Sequence, residues 1–295
     1  MEAVKTTPRV ALDNILFATD FSPASERAFL FALAFARWYG SKLTVAHAVT
    51  PEPHYSVPLD PLPLDMDPTW QSARKVMAGF ETSHSFYRVK HESVLEQGGP
   101  WEMVSRLLRN QPMDLLVLGT HGRQGWKRLV LGSEAEVIFR QAPCPVLTVG
   151  PHVAAIDPER WRPFNIVYAT DFSPTSLHAL PLALSIAEES QTNLILLHLT
   201  PLVPIDAQEG MITKIEEQLQ ELVPAEAKDW CKTSCQVRFE FPAEGILRLS
   251  RERAADLIVM GARKRGAPQA ASHIPWATAA EVASQAQCPV LTVRG

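Results

Sequence analysis

Gly119-Thr120-His121-Gly122 is followed, after nine residues, by Gly132-Ser133, and the loop between them carries Arg123, Lys127 and Arg128. Residues of these types at this spacing can hold an anion. Gly119 ends an apolar run and Gly122 falls in a turn, where the missing Cβ lets backbone amides approach a charged group. Gly132-Ser133 precedes a stretch with helical spacing, and Ser133 with Glu136 has the separation of a capping box. A helix start offers open N–H groups and positive partial charge, which suit phosphate. The same residues describe equally well a glycine-rich turn, a capped helix and a solvated basic loop. The residues by themselves leave both readings open.

Other chemistries are excluded by their missing motifs. There is no G-x-x-x-x-G-K-[ST] phosphate loop, and no G-x-G-x-x-G follows the first apolar run, which argues against a P-loop NTPase and a dinucleotide site. Neither H-E-x-x-H nor G-x-S-x-G occurs, so zinc-protease and serine-hydrolase signatures are missing.

The elements that must position these residues come twice. Ile15 to Pro23 returns 151 residues later as Ile166 to Pro174, and twelve of the twenty-two positions in 15–36 and 166–187 are identical. That is beyond chance at one fixed offset, and the period has the size of a small domain rather than of a solenoid repeat. The expected division is residues 1–150 and 165–295, joined by a linker at 151–164. Each copy alternates short apolar strands with helical stretches. The strands of copy one fall at 14–19, 43–49, 89–96, 114–119 and 145–149, and those of copy two at 165–170, 194–200, 235–241, 256–261 and 289–293. The helices fall at 24–39, 69–84, 100–110 and 133–142, and at 175–189, 210–222, 243–254 and 277–286. Ser22-Pro23 and Ser173-Pro174 have the form of an N-cap followed by proline at the first helical position. Near-continuous apolar strands joined by helices predict an α/β fold: two tandem α/β domains, each a five-stranded parallel sheet with helices on both faces. Ligands then bind beyond the carboxyl ends of the strands, which carry Asp20, Ala48, Gly98 and Gly119. The proline-rich stretch Pro51 to Pro68 starts at this edge and is expected to fold over a ligand through His54, Tyr55 and Leu59. Pro201 to Glu209 is its shorter counterpart.

Ala18-Thr-Asp-Phe-Ser22, the strand from Leu43 to His47, Asp114 to Gly122, the nine-residue spacer before Gly132-Ser133, and Ala142-Pro-Cys-Pro-Val146 together resemble the universal stress protein family. The resemblance runs through nearly the whole chain, once per copy. It implies the universal stress protein (adenine nucleotide alpha hydrolase-like) fold and, through G-x-x-G-x9-G-[ST], ATP with or without Mg2+ as ligand of copy one. By that resemblance Asp20 lies beside adenine and ribose, with Ala18 and Thr19 flanking it, and Ala48 packs on the adenine. Leu118 and Gly119 end the fourth strand. His121, Gly122, Gly132 and Ser133 form the phosphate loop. Glu134 departs from the pattern, since an apolar residue is usual there and a carboxylate competes with phosphate for the same amides. His47 and its repeat, His198, are expected to be satisfied core histidines.

Copy two departs further. Asp171 and Gly261 remain, but Lys264 replaces Gly122, and Trp276-Ala277 replace Gly132-Ser133 behind a longer loop. Bulk from Pro275-Trp276 is expected to disable the triphosphate mode there, leaving Arg263, Lys264 and Arg265 as a solvated basic loop. The chain thus has the sequence of an ATP-binding stress-response or signalling module, with slow hydrolysis at most. A nucleotide-independent protein-interaction scaffold is the main alternative. An adenylyl-transferring enzyme is disfavoured because Asp20-Phe-Ser-Pro23 stands where a pyrophosphate loop would follow the first strand. A net charge of −4 gives no drive toward nucleic acid or acidic membranes. No apolar h-region or membrane-length run is visible, and a cytoplasmic compartment is expected. Cys144 and Cys288, each before a Pro-Val-Leu-Thr-Val strand, are expected to be buried reduced thiols, and Cys231 and Cys235 lack the companions of a zinc site. Those near-identical last strands are expected to pair within the chain as an intramolecular pseudo-dimer. A homodimer and a protein partner of unknown identity are the further associations considered.

Overall fold

The computed structural model describes residues 10–50, 67–120, 132–200, 202, 205–262 and 276–294. Copy one runs β1 (Asn14–Ala18), α1 (Pro23–Tyr39), β2 (Lys42–Val49), α2 (Pro68–Ser83), β3 (Lys90–Gln97), α3 (Pro100–Asn110), β4 (Leu115–Gly119), α4 (Ser133–Gln141) and β5 (Val146–Val149). Copy two runs β6 (Asn165–Ala169), α5 (Pro174–His178), α6 (Leu180–Ser190), β7 (Asn193–Thr200), α7 (Ile205–Glu221), β8 (Lys232–Phe239), α8 (Pro242–Glu252), β9 (Leu257–Gly261), α9 (Trp276–Gln285) and β10 (Val290–Val293). The α/β expectation holds. Pairing within each copy is parallel, as in β1 with β2 and β4, and β6 with β7 and β9.

All strands join one ten-stranded sheet, in the order β3-β2-β1-β4-β5-β10-β9-β6-β7-β8. The join is antiparallel, with Thr148 opposite Val290, Leu147 opposite Leu291 and Val146 opposite Thr292. Both threonine hydroxyls are buried and donate across the seam, Thr148 Oγ1 to the Val290 carbonyl at 3.1 Å and Thr292 Oγ1 to the Val146 carbonyl at 3.2 Å. Four-residue strands ending a sheet would otherwise leave a bare apolar edge open to any other strand. Because the join is antiparallel, the carboxyl ends of the two parallel halves lie on opposite margins of the sheet.

Strand residues alternate between two apolar layers that each run across both copies. Ile15 and Phe17 face the side covered by α1, α2 and α6, with Phe29, Phe35, Leu182 and Ile186. Leu16 faces the side covered by α3, α4, α8 and α9, with Met103, Phe139, Ile246 and Val282. Burial on both faces is why these strands are apolar at nearly every position.

Three expectations change. The helix expected over 175–189 is broken at Ala179. Pro181 has no N–H to give the Leu177 carbonyl, whereas Leu30, its counterpart in copy one, continues α1. Residues 205–209, expected as loop, are the first turns of α7. The segment 151–164, expected as a plain linker, is packed on α1. Trp161 meets Phe31, Phe35 and Trp38 with ring centroids 5.1, 5.7 and 6.0 Å apart. The Arg162 guanidinium lies 4.7 Å over the Trp38 ring, and Arg37 pairs with Glu159 at 3.5 Å. Phe31, Phe35 and Trp38 stand at i, i+4 and i+7, one stripe of the helix. The proline-rich residues 51–66, with His54, Tyr55 and Leu59, lie outside the described residues.

A fragment ending at residue 150 keeps β5 but loses β10. It is expected to dimerise through residues 146–149 in sedimentation. A stable monomer would contradict the account of the seam.

Candidate functional site

Ala18, Thr19, Asp20, Ala48, Leu118 and Gly119 gather at the carboxyl ends of three adjacent strands, since Ala18 is in register with both Ala46 and Leu118. The start of α4 reaches the same margin: Gly132 N–H donates to the Thr120 carbonyl at 2.8 Å, and Thr120 N–H to the Val149 carbonyl at 3.1 Å. His121, Gly122 and the cations Arg123, Lys127 and Arg128 lie outside the described residues.

The corner between β1 and α1 is held by short-range polar contacts. Asp20 Oδ1 accepts the Ser22 N–H at 3.0 Å, a turn of the kind aspartate favours. Ser22 Oγ caps α1 by accepting the Ser25 N–H at 3.2 Å, as the sequence predicts. Thr19 Oγ1 accepts the Phe21 N–H at 2.9 Å and shares a hydrogen bond with Ser25 Oγ at 2.7 Å. Phe21 sits at φ 58°, a left-handed conformation costing a non-glycine residue about 1–3 kcal/mol. Its ring rests 4.6 Å from the His47 ring, and His47 Nδ1 meets the Thr19 carbonyl at 2.7 Å.

Copy two rebuilds this corner bond for bond. Asp171 Oδ1 takes the Ser173 N–H at 3.0 Å, Thr170 Oγ1 takes the Phe172 N–H at 3.0 Å, and Phe172 sits at φ 59°. His198 Nδ1 meets the Thr170 carbonyl at 2.9 Å. Ser25 and Ser176 were not singled out from the sequence, although their identity at the 151-residue offset was the signal. His198 is the satisfied core histidine the sequence predicts, whereas His47 makes the same hydrogen bond but is only half-buried. Burial pushes the His198 imidazole below its ordinary value of 6.5, against the opposing pull of the Thr170 carbonyl and Asp171.

The two corners differ in openness. Asp20, His47, Ala48 and Gly119 are half-buried, whereas Asp171 is 7% exposed, His198 7% and Leu199 9%. Among the described residues, the corner of copy one is therefore the more exposed of the two.

Gly119 has a packing reason beside any ligand role. A Cβ there would stand 3.2 Å from the backbone of Ala24 and Ser25, where α1 crosses the end of β4. At Gly261 the approach is closer, 2.6 Å to Ser176 Cα and 2.7 Å to the Thr175 carbonyl. This accounts for a glycine at this position in both copies.

The capping-box expectation at Ser133 is corrected. Gly132 is the cap residue, Ser133 is the first helical residue, and no side chain caps α4. The cap residue thus leaves the first-turn amides without a side-chain acceptor of its own, which suits an external anion. Glu134 is exposed in that turn, and Glu136 is drawn aside to Arg140 at 3.7 Å. In copy two, residues 263–275 and the side chain of Trp276 lie outside what is described. Among the described residues no group of three or more His, Cys, Asp or Glu could hold a metal ion, and no helix is long and apolar enough to cross a membrane. All four cysteines are free, and burial pushes the thiols of Cys144 and Cys288 up to about 12.

With this geometry in hand, comparison with known proteins is decisive. The model of the universal stress protein family matches residues 11–150 and again 164–294. The chain belongs to the universal stress protein family. A universal stress protein of Thermus aquaticus is 35% identical over 137 residues, covering 46% of this chain and 97% of the relative. One from Staphylococcus aureus is 31% identical over 145 residues, covering 48% of this chain and 85% of the relative. Single-domain universal stress proteins thus correspond to half of this chain. The crystal structure of a universal stress protein from Archaeoglobus fulgidus shares the fold across both halves, with a TM-score of 0.70, 18% identity and 96% of each chain covered.

Gly261→Ala is expected to destabilise the protein by roughly 1–3 kcal/mol in denaturant melts, and Gly119→Ala by less. The reverse order would contradict the packing role. For His198, the unfolded chain takes a proton as pH falls through about 6.5 while the buried ring does not. Its contribution to stability is therefore lost below that pH, and its ring resonance is expected to titrate below 6.5 in NMR.

Proposed function

We propose that this universal stress protein binds one ATP per chain, in copy one, and acts as a nucleotide-responsive stress or signalling module. The observation that carries the reading is the duplicated corner: the same hydrogen bonds surround Asp20 and Asp171, but Asp20 is half-buried where Asp171 is buried. On the same side stands the start of α4, whose cap residue Gly132 offers no capping side chain. Asp20, Ala18, Thr19 and Ala48 are assigned to the nucleoside. Leu118 and Gly119 are assigned to the floor of the site at the end of β4, and His121, Gly122, Gly132 and Ser133 to the phosphates, with Glu134 tuning the charge. Mg2+, if taken up, would travel with the phosphates.

The chemistry of the corner favours binding over rapid turnover. The Ser25 hydroxyl is buried against Thr19 Oγ1 and His47 Nδ1 meets the Thr19 carbonyl, so the two side chains do not pair with each other as nucleophile and base. Residues 1–150 and 165–295 are proposed as the two domains, with 151–164 fastening the second to α1 of the first. Free, deeply buried thiols support a reducing, cytoplasmic setting.

Titration calorimetry on the full chain tests the reading. The expected stoichiometry is one ATP per chain. Gly132→Val is expected to lower affinity by at least about tenfold with the circular dichroism spectrum unchanged. Two equal sites, or unchanged affinity in the variant, would contradict it.

A further inference from the structure

The seam by itself cannot tell one copy from the other. Both last strands and their approach read Cys-Pro-Val-Leu-Thr-Val, at 144–149 and at 288–293. The hydrogen bonds from Thr148 to Val290 and from Thr292 to Val146 are one bond made from each side. Two copies of β5, from two chains, could therefore pair in the same register. A chain whose copies paired with their own kind would join other chains end to end instead of closing on itself. What separates the two outcomes lies outside the strands, in the segments that lead into β1 and β6.

Each of these arms crosses to a helix of the other copy. The arm of copy one sets Val10 and Leu12 into the apolar layer that holds Leu182 and Ile186 of α6, and Ser185 Oγ of α6 donates to the Val10 carbonyl at 3.4 Å. The arm of copy two sets Trp161 on Phe31, Phe35 and Trp38 of α1. At the 151-residue offset the arms are equivalent, but their side chains are not: Pro8 matches Glu159, Val10 matches Trp161 and Ala11 matches Arg162. The helices change in step with them. Phe31, Phe35, Arg37 and Trp38 of α1 match Leu182, Ile186, Glu188 and Glu189 of α6.

Pairing of like with like would misplace both arms. Two copy ones would lay valine on an aromatic stripe that a tryptophan fills, which leaves a void, and would set proline where Arg37 finds Glu159. Two copy twos would set Trp161 against Leu182, Ile186 and Glu189, with no ring to meet, and Glu159 against Glu188, like charge on like. The mixed pair alone gives Trp161 its three rings, Arg162 the face of Trp38 at 4.7 Å, and Arg37 its Glu159 at 3.5 Å. We propose that the stripe of Phe31, Phe35 and Trp38 on α1 is a pairing-specificity surface whose occupant is the arm of a copy two, and that this surface, rather than the seam, makes copy one choose copy two over another copy one.

The test uses the full chain, folded and then cut at a protease site inserted between Ala154 and Ala155, which are both exposed. Cutting removes the tether and leaves the arm with Trp161 on copy two. Isotope-labelled and unlabelled cut proteins are mixed in denaturant just below the unfolding midpoint until the fraction of mixed-isotope pairs is constant, and native mass spectrometry then counts the pairs. Pairs of copy one with copy two are expected at least about tenfold above random pairing. Trp161→Val, which gives copy two the anchor of copy one, is expected to bring that ratio within about twofold of random. Should this variant not fold, Trp38→Glu, which gives α1 the residue of α6, is read in its place, with the same expected loss. Unsubstituted halves that pair at random overturn the proposal, and so does a folded variant that keeps the full preference.

Discussion

The antiparallel contact between β5 and β10 is the constraint on which the rest of the molecule depends. Two parallel half-sheets each end in an apolar four-residue strand, and joining the halves removes both bare edges at once. The join fixes the symmetry of the molecule, because the strand order of one half is the other read backwards. It also turns the two carboxyl margins away from each other, so the two copies of the site corner cannot share a ligand. Residues 151–164 reinforce the join from outside by packing Trp161 and Arg162 onto α1.

Within that frame one strained place recurs at the same position of both copies. Phe21 and Phe172 both adopt a left-handed backbone, and both are held by a threonine hydroxyl, a serine cap and a histidine ring. This corner presents an aspartate at the end of the first strand with its orientation fixed before any ligand arrives. Because the corner is the same in both copies, it cannot be what distinguishes them. The copies differ in what surrounds it: Asp171 is buried where Asp20 is half-buried, and Trp276-Ala277 stand where copy one has Gly132-Ser133.

Much of this was legible in the sequence. The 151-residue repeat, the serine caps and the apolar strands follow from rules with strong local signals, and their elements fall within a few residues of where the sequence puts them. What was not legible depends on distant partners or on competition between local signals. Pro181 outweighed helical periodicity around Ala179. Gly132 rather than Ser133 became the cap of α4 because its N–H is drawn to Thr120, a contact made across the loop. The packed path of 151–164 could not be read from a proline-containing stretch, because its anchors are aromatic residues of α1 far earlier in the chain. The same holds for Leu199 and Gly245, whose close contact appears only where α8 approaches β7. Of the candidate site residues, the structure brings those of β1, β2, β4 and α4 to one margin, while His121 and Gly122 lie outside the described residues.

The central claim is that two copies of one corner, held by the same hydrogen bonds, have been made unequal by their surroundings, so that one binds nucleotide and the other does not. A crystal structure of the full chain grown with saturating ATP tests it most directly. The account requires a single nucleotide, its nucleoside beside Asp20 and Ala48 and its phosphates at the start of α4, with no nucleotide beside Asp171. Nucleotide at both margins, or beside Asp171 alone, would contradict it.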